Sequence, residues 1–133
     1  MIVVDTNLIA YLWISGEFTE KAEKLLQTDA HWLAPMLWRS EFRNVLAGYY
    51  RGGKLSLPDV LEIMENAEVQ MRERELLVSS HSVMKLVSES SCSAYDCEFV
   101  ALASELELPL VTTDRQILND FPKIAQSPDQ FLK

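Results

Sequence analysis

Four acidic residues, far apart in the sequence, are candidates for one catalytic site. Asp5 follows a short apolar run at the start of the chain, and Asp114 follows a second apolar run near its end. Glu41 and Asp96 lie in segments whose apolar spacing is typical of helices. Two unpaired carboxylates about 5 Å apart repel each other by roughly 3 kcal/mol at an effective dielectric constant of about 20. If the fold brings these four acids together, a divalent cation is needed to offset the repulsion.

The elements that must position these acids alternate along the chain. Strands are predicted at residues 1–4, 32–34, 76–78, 108–112 and 123–126. Helices are predicted at residues 8–13, 19–27, 57–75, 82–87 and 116–120, with two more that carry Glu41 and Asp96. Pro35 is expected to end the second strand and to open the helix that follows. Strands that alternate with helices imply an α/β fold, a parallel sheet of four to five strands flanked by helices, in a single domain over residues 1–133.

The position of Asp5 and Asp114 just after two predicted strands indicates where a site would lie. In open α/β sheets, ligands bind beyond the carboxyl ends of the strands. Adjacency of these two strands would therefore place both acids at one edge. The helices that carry Glu41 and Asp96 reach the same edge only if their preceding connections end there, and the sequence leaves that step open.

The helix that carries Glu41 is predicted to be amphipathic. Glu41 lies beside the apolar stripe, on the border of the core, and Asn44 shares its side. Arg39 and Arg43 lie on the other side and are expected to face solvent or a partner. The stripe itself contains Trp38, Phe42, Val45 and Tyr49.

Asp96 is predicted in the first turn of a helix that Ser93 caps. The apolar stripe of this helix contains Tyr95, Phe99, Leu102 and Leu106. A structural role is the alternative for each acid. Asp5 could end its strand in a turn, Asp114 could cap the following helix, Asp96 is favoured by the helix dipole, and Glu41 could pair with an arginine. Four such roles would have to coincide, which favours the metal site.

The net charge and the distribution of charged and apolar residues limit the functions that the chain can have. A net charge of −8 argues against sequence-blind adhesion to nucleic acid. The charge is uneven, however, because residues 39–54 hold four basic residues and one acid. Glu62, Glu65 and Glu68 are expected to form a solvated stripe. No stretch approaches about 18 uninterrupted apolar residues, and no basic segment precedes the first apolar run, so a cytoplasmic protein without membrane helix or signal peptide is expected.

The cysteines and histidines do not suggest an alternative catalytic site. Cys92 and Cys97 are expected on one helix as small buried side chains. His31 and His81 each stand at the start of a predicted element and are expected at the surface, which disfavours a metal-independent ribonuclease with paired histidines. A phosphatase of the haloacid dehalogenase kind needs a second aspartate two residues after the first, where this chain has Asn7. No glycine-rich phosphate loop is present.

Four segments, in this order along the chain, resemble the four signature blocks of the PIN domain family: residues 3–7, 40–46, 94–103 and 110–114. Within that family the sequence most resembles the small bacterial toxin ribonucleases of the VapC type, whose usual ending is similar to residues 127–132. The resemblance spans nearly the whole chain.

This resemblance implies a Mg²⁺- or Mn²⁺-dependent endoribonuclease whose catalytic acids are Asp5, Glu41, Asp96 and Asp114. All but Glu41 would contact the metal directly or through water, and Glu41 would orient a water or complete a second site. Such toxins often have another acid or amide two places after the fourth acid, where this chain has Gln116, whose amide is expected to ligate the metal weakly or to hydrogen-bond a water. Supporting residues are therefore expected at Thr6, Asn7, Thr112 and Gln116.

The resemblance also implies partners: an RNA substrate, a cognate antitoxin protein and a second copy of the chain in a homodimer. Candidates for the dimer surface, with core packing as the alternative, are Trp13, Phe18, Trp38 and Tyr50. Two other functions stay open at this point. One is a housekeeping PIN-type nuclease that processes RNA, and the other is an RNA- or protein-binding module with negligible catalysis.

Overall fold

A five-stranded parallel sheet organises the chain, of which the computed structural model describes residues 1–133. The strands are β1 (Ile2–Val4), β2 (Trp32–Pro35), β3 (Glu75–Leu76), β4 (Leu110–Val111) and β5 (Ala125–Gln126). The helices are α1 (Thr6–Trp13), α2 (Thr19–Thr28), α3 (Trp38–Arg51), α4 (Leu57–Gln70), α5 (Ser80–Ser88), α6 (Ala94–Leu106), α7 (Arg115–Asp120) and α8 (Pro128–Leu132). The predicted α/β class and sheet are confirmed.

The strand order is β3-β2-β1-β4-β5, which places β1 at the centre of the sheet. All three residues of β1 are buried, as a strand covered on both faces requires. In the pairing of β1 with β4, Val3 lies opposite Leu110 and Val4 lies opposite Val111. Because β1 and β4 are parallel neighbours, their carboxyl ends lie side by side at the same edge of the sheet.

Several element boundaries differ from the prediction, and three of them have a clear structural reason. α1 begins at Thr6, two residues early, because the side chain of Asp5 caps it. Pro35 does not open α3. It is the last residue of β2, and the pairing with β3 continues past it, since the Met36 N–H donates to the Leu76 carbonyl. α4 ends at Gln70 because the chain must turn back to form β3.

The apolar stripe predicted for α6 is correct at its centre and wrong at its ends. Phe99 and Leu102 are buried, but Tyr95 is 64% and Leu106 is 42% exposed. The middle of α6 packs on α5, β1 and β2 and is buried nearly all round, while Tyr95 in its first turn and Leu106 in its last turn remain exposed. None of the helices has a stretch long and apolar enough to cross a bilayer.

Arg39 is only partly exposed and is bound within the chain, whereas the sequence had suggested that it faces solvent or a partner. Its guanidinium donates to both carboxylate oxygens of Glu75, over 2.5 and 2.9 Å, and to Glu68 Oε2 over 2.8 Å. The Trp38 indole N–H also donates to Glu75, over 2.7 Å. These contacts join α3, α4 and β3, and they remove Glu68 from the predicted solvated stripe. Both cysteines are buried and free, although Cys92 precedes α6 and does not lie in it.

Candidate active site

The four acids line one cavity of about 250 Å³ at the carboxyl edge of the sheet. Asp5 follows β1, Asp114 follows β4, Glu41 lies in the first turn of α3 and Asp96 lies in the first turn of α6. The rest of the lining is formed by Thr6, Asn7, Asn44, Val45, Phe99 and Ile117. A larger hollow of about 630 Å³ at the amino ends of β4 and β5 gathers no comparable set of acids.

Asp5 is the most buried of the four acids, with an exposed fraction of 7%. The Leu8 N–H donates to its Oδ1 over 3.2 Å, and the Thr112 hydroxyl donates to its Oδ2. Loss of solvent raises the pKa of Asp5 to about 6 in spite of these hydrogen bonds, and the charge of Asp114 adds to the rise. The ionised form of Asp5 is therefore destabilised in this site unless a cation lies beside it.

Glu41 is held against the cavity wall by α1. The Thr6 hydroxyl donates to Glu41 Oε1 over 2.6 Å. Partial burial raises the pKa of Glu41, the hydrogen bond from Thr6 lowers it, and the charges of Asp96 and Glu98 raise it. One carboxylate oxygen is thus fixed by a neutral donor, and the acid still repels its neighbours.

Asp96 and Asp114 both line the cavity, each at the start of a helix. Ser93 caps α6 by accepting the Asp96 N–H over 3.1 Å, and Asp114 caps α7 by accepting the Ile117 N–H over 3.0 Å. Partial burial raises the pKa of Asp96, and the charge of Asp114 raises it further. The first turn of α6 does hold Asp96, and Asp114 does cap α7, as the structural alternatives proposed. These roles do not remove the repulsion between the two carboxylates.

Thr112 joins two of the acids and is fully buried. Its hydroxyl donates to Asp5 Oδ2 and accepts the Asp114 N–H over 3.0 Å. The side chain does not line the cavity, so it supports the acids from behind. This placement agrees with its expected supporting role, as does the contact of Thr6 with Glu41.

We expect Thr112→Val to weaken Mn²⁺ binding by about tenfold or more, because Asp5 loses its buried donor and Asp114 loses an acceptor for its N–H. The free energy of unfolding should fall by about 1 to 3 kcal/mol, since both groups are left unpaired. Calorimetric titration with Mn²⁺ and urea unfolding measure the two effects. Thr112→Ser keeps the hydroxyl and is the matched control; equal Mn²⁺ affinities for the two variants would contradict the supporting role.

Two other predicted supporting residues differ in their placement. Asn7 is exposed and lines the cavity. Gln116 lies outside the lining, and its amide N–H groups donate to the carbonyl and the hydroxyl of Ser91 over 2.7 and 3.0 Å. Asn44 was predicted to share the side of Glu41, and it lies in the lining, although it was not chosen as a site residue. Nothing in the spacing of the chain indicated the contact with Ser91.

The chemistry of the donor set fits a hard divalent cation. The four carboxylates and two asparagine amides line the same cavity. All of them offer side-chain oxygen atoms, which are the ligands that Mg²⁺ and Mn²⁺ prefer. The side-chain positions in this structure do not bring three acids to one point that could hold an ion. Asp5 and Glu41 instead accept hydrogen bonds from Thr112 and Thr6. Rotation of the acidic side chains is therefore required before the set can surround a cation.

Comparison with known proteins decides the family. The family model described as PIN domain matches residues 2–125, a range that contains all four acids. The chain belongs to the PIN domain family. Ribonuclease VapC3 of Pyrobaculum aerophilum is 30% identical over 129 residues, which are 93% of this chain and 97% of that protein. The resemblance seen in the four sequence blocks is thereby confirmed.

Solved structures show the same PIN fold. The crystal structure of PAE2754 from Pyrobaculum aerophilum has a TM-score of 0.77 at 20% identity, covering 98% of this chain and 92% of that one. FitAcB from Neisseria gonorrhoeae gives 0.76 at 17% identity, over 96% and 98% of the two chains. A toxin-antitoxin complex from Klebsiella pneumoniae gives 0.70 at 16% identity, over 96% and 98%.

Proposed function

We propose that this PIN domain is a divalent-cation-dependent endoribonuclease and the toxin of a VapC-type toxin-antitoxin pair. The observation that carries the proposal is the meeting of Asp5, Glu41, Asp96 and Asp114 in one cavity at the carboxyl edge of the sheet. It is supported by a relative named as a VapC ribonuclease and by a structural neighbour solved as a toxin-antitoxin complex.

The cation we propose is Mg²⁺ or Mn²⁺, held by Asp5, Asp96 and Asp114. When bound, such a cation makes water easier to deprotonate and offsets the charge that develops on the phosphate. Thr112 holds Asp5 in place, and Asp114 is fixed by the cap that it forms on α7. Three segments of the chain thus bring negative charge to the same cavity.

Glu41 has a different role in this proposal. Thr6 fixes its Oε1, which leaves Oε2 free to accept a hydrogen bond from a water in the cavity. Glu41 would therefore orient the water that attacks the phosphorus, and it would take part in removing the proton from that water. Asn7 and Asn44 line the same cavity, and their side-chain amides can donate hydrogen bonds to phosphate oxygens of the RNA. Products with a 5′-phosphate and a 3′-hydroxyl are expected.

The basic residues that remain at the surface of the α3 region suit the approach of RNA. Arg39 is engaged with Glu68 and Glu75, but Arg43, Arg51 and Lys54 are exposed. These three charges offset part of the negative field of a chain whose net charge is −8.

We propose an antitoxin and a homodimer as the protein partners and the cytoplasm as the location. Of the four residues predicted for a dimer surface, Phe18 and Tyr50 are 47% and 50% exposed. Trp38 is fully buried and belongs to the core. Trp13 is half-buried, and its indole N–H donates to Gln70 over 2.6 Å. The exposed pair is the part of that prediction that remains available for a partner.

Incubation of the purified protein with structured RNAs tests the catalytic proposal. We expect fragments in Mg²⁺ or Mn²⁺ and none in EDTA. Binding without fragments in every condition would contradict catalysis and favour a binding module. For the toxin role, expression in a bacterial host should arrest growth, and co-expression of the product of the adjacent gene should relieve the arrest. Cleavage without growth arrest would favour a housekeeping nuclease.

A further inference from the structure

Ser91 is held by two side chains of α7. Its N–H and its hydroxyl both donate to Asp120 Oδ2, over 2.9 and 2.8 Å. The Gln116 amide donates to the Ser91 carbonyl over 2.7 Å and to the Ser91 hydroxyl over 3.0 Å. Every polar group of Ser91 is thus paired with α7. We call these three residues the Ser91 latch.

The residues of the Ser91 latch stand close in sequence to two of the four acids. Ser91 stands two residues before Ser93, the cap of α6, and Asp96 is in the first turn of that helix. Gln116 stands two residues after Asp114, the cap of α7. Gln116 and Asp120 are four residues apart, so they share one face of α7 and reach the same target. The latch therefore ties the segment that leads into α6 to the helix that Asp114 begins.

The starts of α6 and α7 need such a tie because the acids that they carry repel each other. Asp96 and Asp114 line the same cavity of about 250 Å³, which places the two carboxylates within electrostatic reach. The segment between α5 and α6 is otherwise a short connection with no regular structure at Ser91. Asp120 accepts three donors there, including the Cys92 thiol at 3.5 Å, and the donors from Ser91 lower its pKa.

We propose that the Ser91 latch sets the distance between Asp96 and Asp114 and thereby the affinity of the cavity for a divalent cation. This inference rests on the proposed cation site. Gln116 is then a positioning residue, in contrast to the weak ligand expected from the sequence. Its side chain donates to Ser91 and lies outside the cavity lining, so it acts on the cation only through the two helices.

Two variants and a control on the same helix test the latch. Gln116→Met keeps the length of the side chain and removes its donors, and Asp120→Ala removes the acceptor. Asn119→Ala changes an exposed residue of α7 that takes no part in the latch. We expect each latch variant to weaken Mn²⁺ binding about tenfold in calorimetric titration, as loss of a group that orients a ligand does, and the control to stay within about twofold.

A second readout separates positioning from stability. RNA cleavage by the latch variants should need about tenfold more Mn²⁺ for half of the maximal rate and should return close to the wild-type rate at saturation, because all four acids are intact. Variants that unfold at lower urea but bind Mn²⁺ like the wild type would show a structural role only and would overturn the proposal.

The experiments distinguish a variant that does not fold, a failure of the latch proposal and a failure of the proposed function. If Asp120→Ala does not fold, Gln116→Met gives the same readouts and leaves the acceptor of the Ser91 N–H in place. A wild-type protein that binds Mn²⁺ and cleaves RNA, with latch variants that match it, would overturn the latch alone. A wild-type protein that does neither would contradict the proposed function and the latch together.

Discussion

Asp5→Asn is expected to lower the rate of RNA cleavage by about 10³-fold, equivalent to roughly 4 kcal/mol of transition-state stabilisation. Asp5 is buried, and both of its oxygens are already fixed, one by the Leu8 N–H and one by Thr112. An asparagine keeps the shape of the side chain and can still cap α1, since Asn and Asp are equivalent caps. What it lacks is the negative charge that the cation requires, so the loss should be chemical and not structural.

Single-turnover cleavage in saturating Mn²⁺ measures this loss. The matched control is Asp129→Asn, which makes the same chemical change at a side chain that is 70% exposed and paired only with Lys21. The control should cleave at the wild-type rate. Cleavage by Asp5→Asn within about tenfold of the wild type would contradict the role of Asp5, provided that circular dichroism shows an intact fold.

Without divalent cations, the protein should lose stability as the pH rises from about 4.5 to about 7.5 because of Asp5. The pKa of Asp5 is about 6 in the folded chain, against an ordinary value of 3.8. Between these values the folded state keeps a proton that the unfolded state has released. The free energy of unfolding therefore decreases as the pH rises toward 6 and stays low above it. A pKa difference of this size amounts to about 3 kcal/mol in full, and about 2 kcal/mol falls within the proposed pH range.

Urea unfolding of the wild type and of Asp5→Asn in EDTA isolates this effect. Glu41 and Asp96 also have raised pKa values and act in the same direction, whereas the lowered pKa values of Asp29 and Asp120 act in the opposite one. The difference between the two proteins cancels these shared contributions. We expect Asp5→Asn to be the more stable at about pH 7.5, with an advantage about 2 kcal/mol smaller at about pH 4.5. An advantage that does not change with pH would contradict the raised pKa.

The part of the fold that carries the site was predictable because its signals are local. An uninterrupted apolar run marks β1 as a central strand, and an acid directly after it must lie at the carboxyl edge. The same pattern recurs at β4 and Asp114. That the two strands are neighbours was an assumption, which the pairing of Val3 with Leu110 supports.

The predictions that failed depended on contacts between distant segments. Arg39 was assigned to the surface from its position on α3, but Glu68 and Glu75 reach it from α4 and β3. Helical spacing predicts Tyr95 in the core, but the spacing does not show which turns of a helix are covered by other elements. Helical periodicity describes one helix at a time, so neither outcome was visible in the sequence.

Gln116 shows the same limit within the site. Its place two residues after Asp114 suggested a weak ligand, and the direction of its side chain depends on Ser91, which is 25 residues away in the chain. The sequence indicated which four acids to expect and placed Asp5 and Asp114 at one edge of the sheet, but it left open whether Glu41 and Asp96 reach that edge. The hydrogen bonds that hold them, from Thr6 and Thr112, come from tertiary structure.

Anomalous diffraction from a crystal of the protein with Mn²⁺ tests the central claim most directly, because it locates the cation without reference to activity. We predict a strong peak within the cavity, with carboxylate oxygens of Asp5, Asp96 and Asp114 around it, directly or through water. A cavity without a peak, in a crystal that shows Mn²⁺ only at surface acids such as Glu62 or Glu65, would contradict the proposed site.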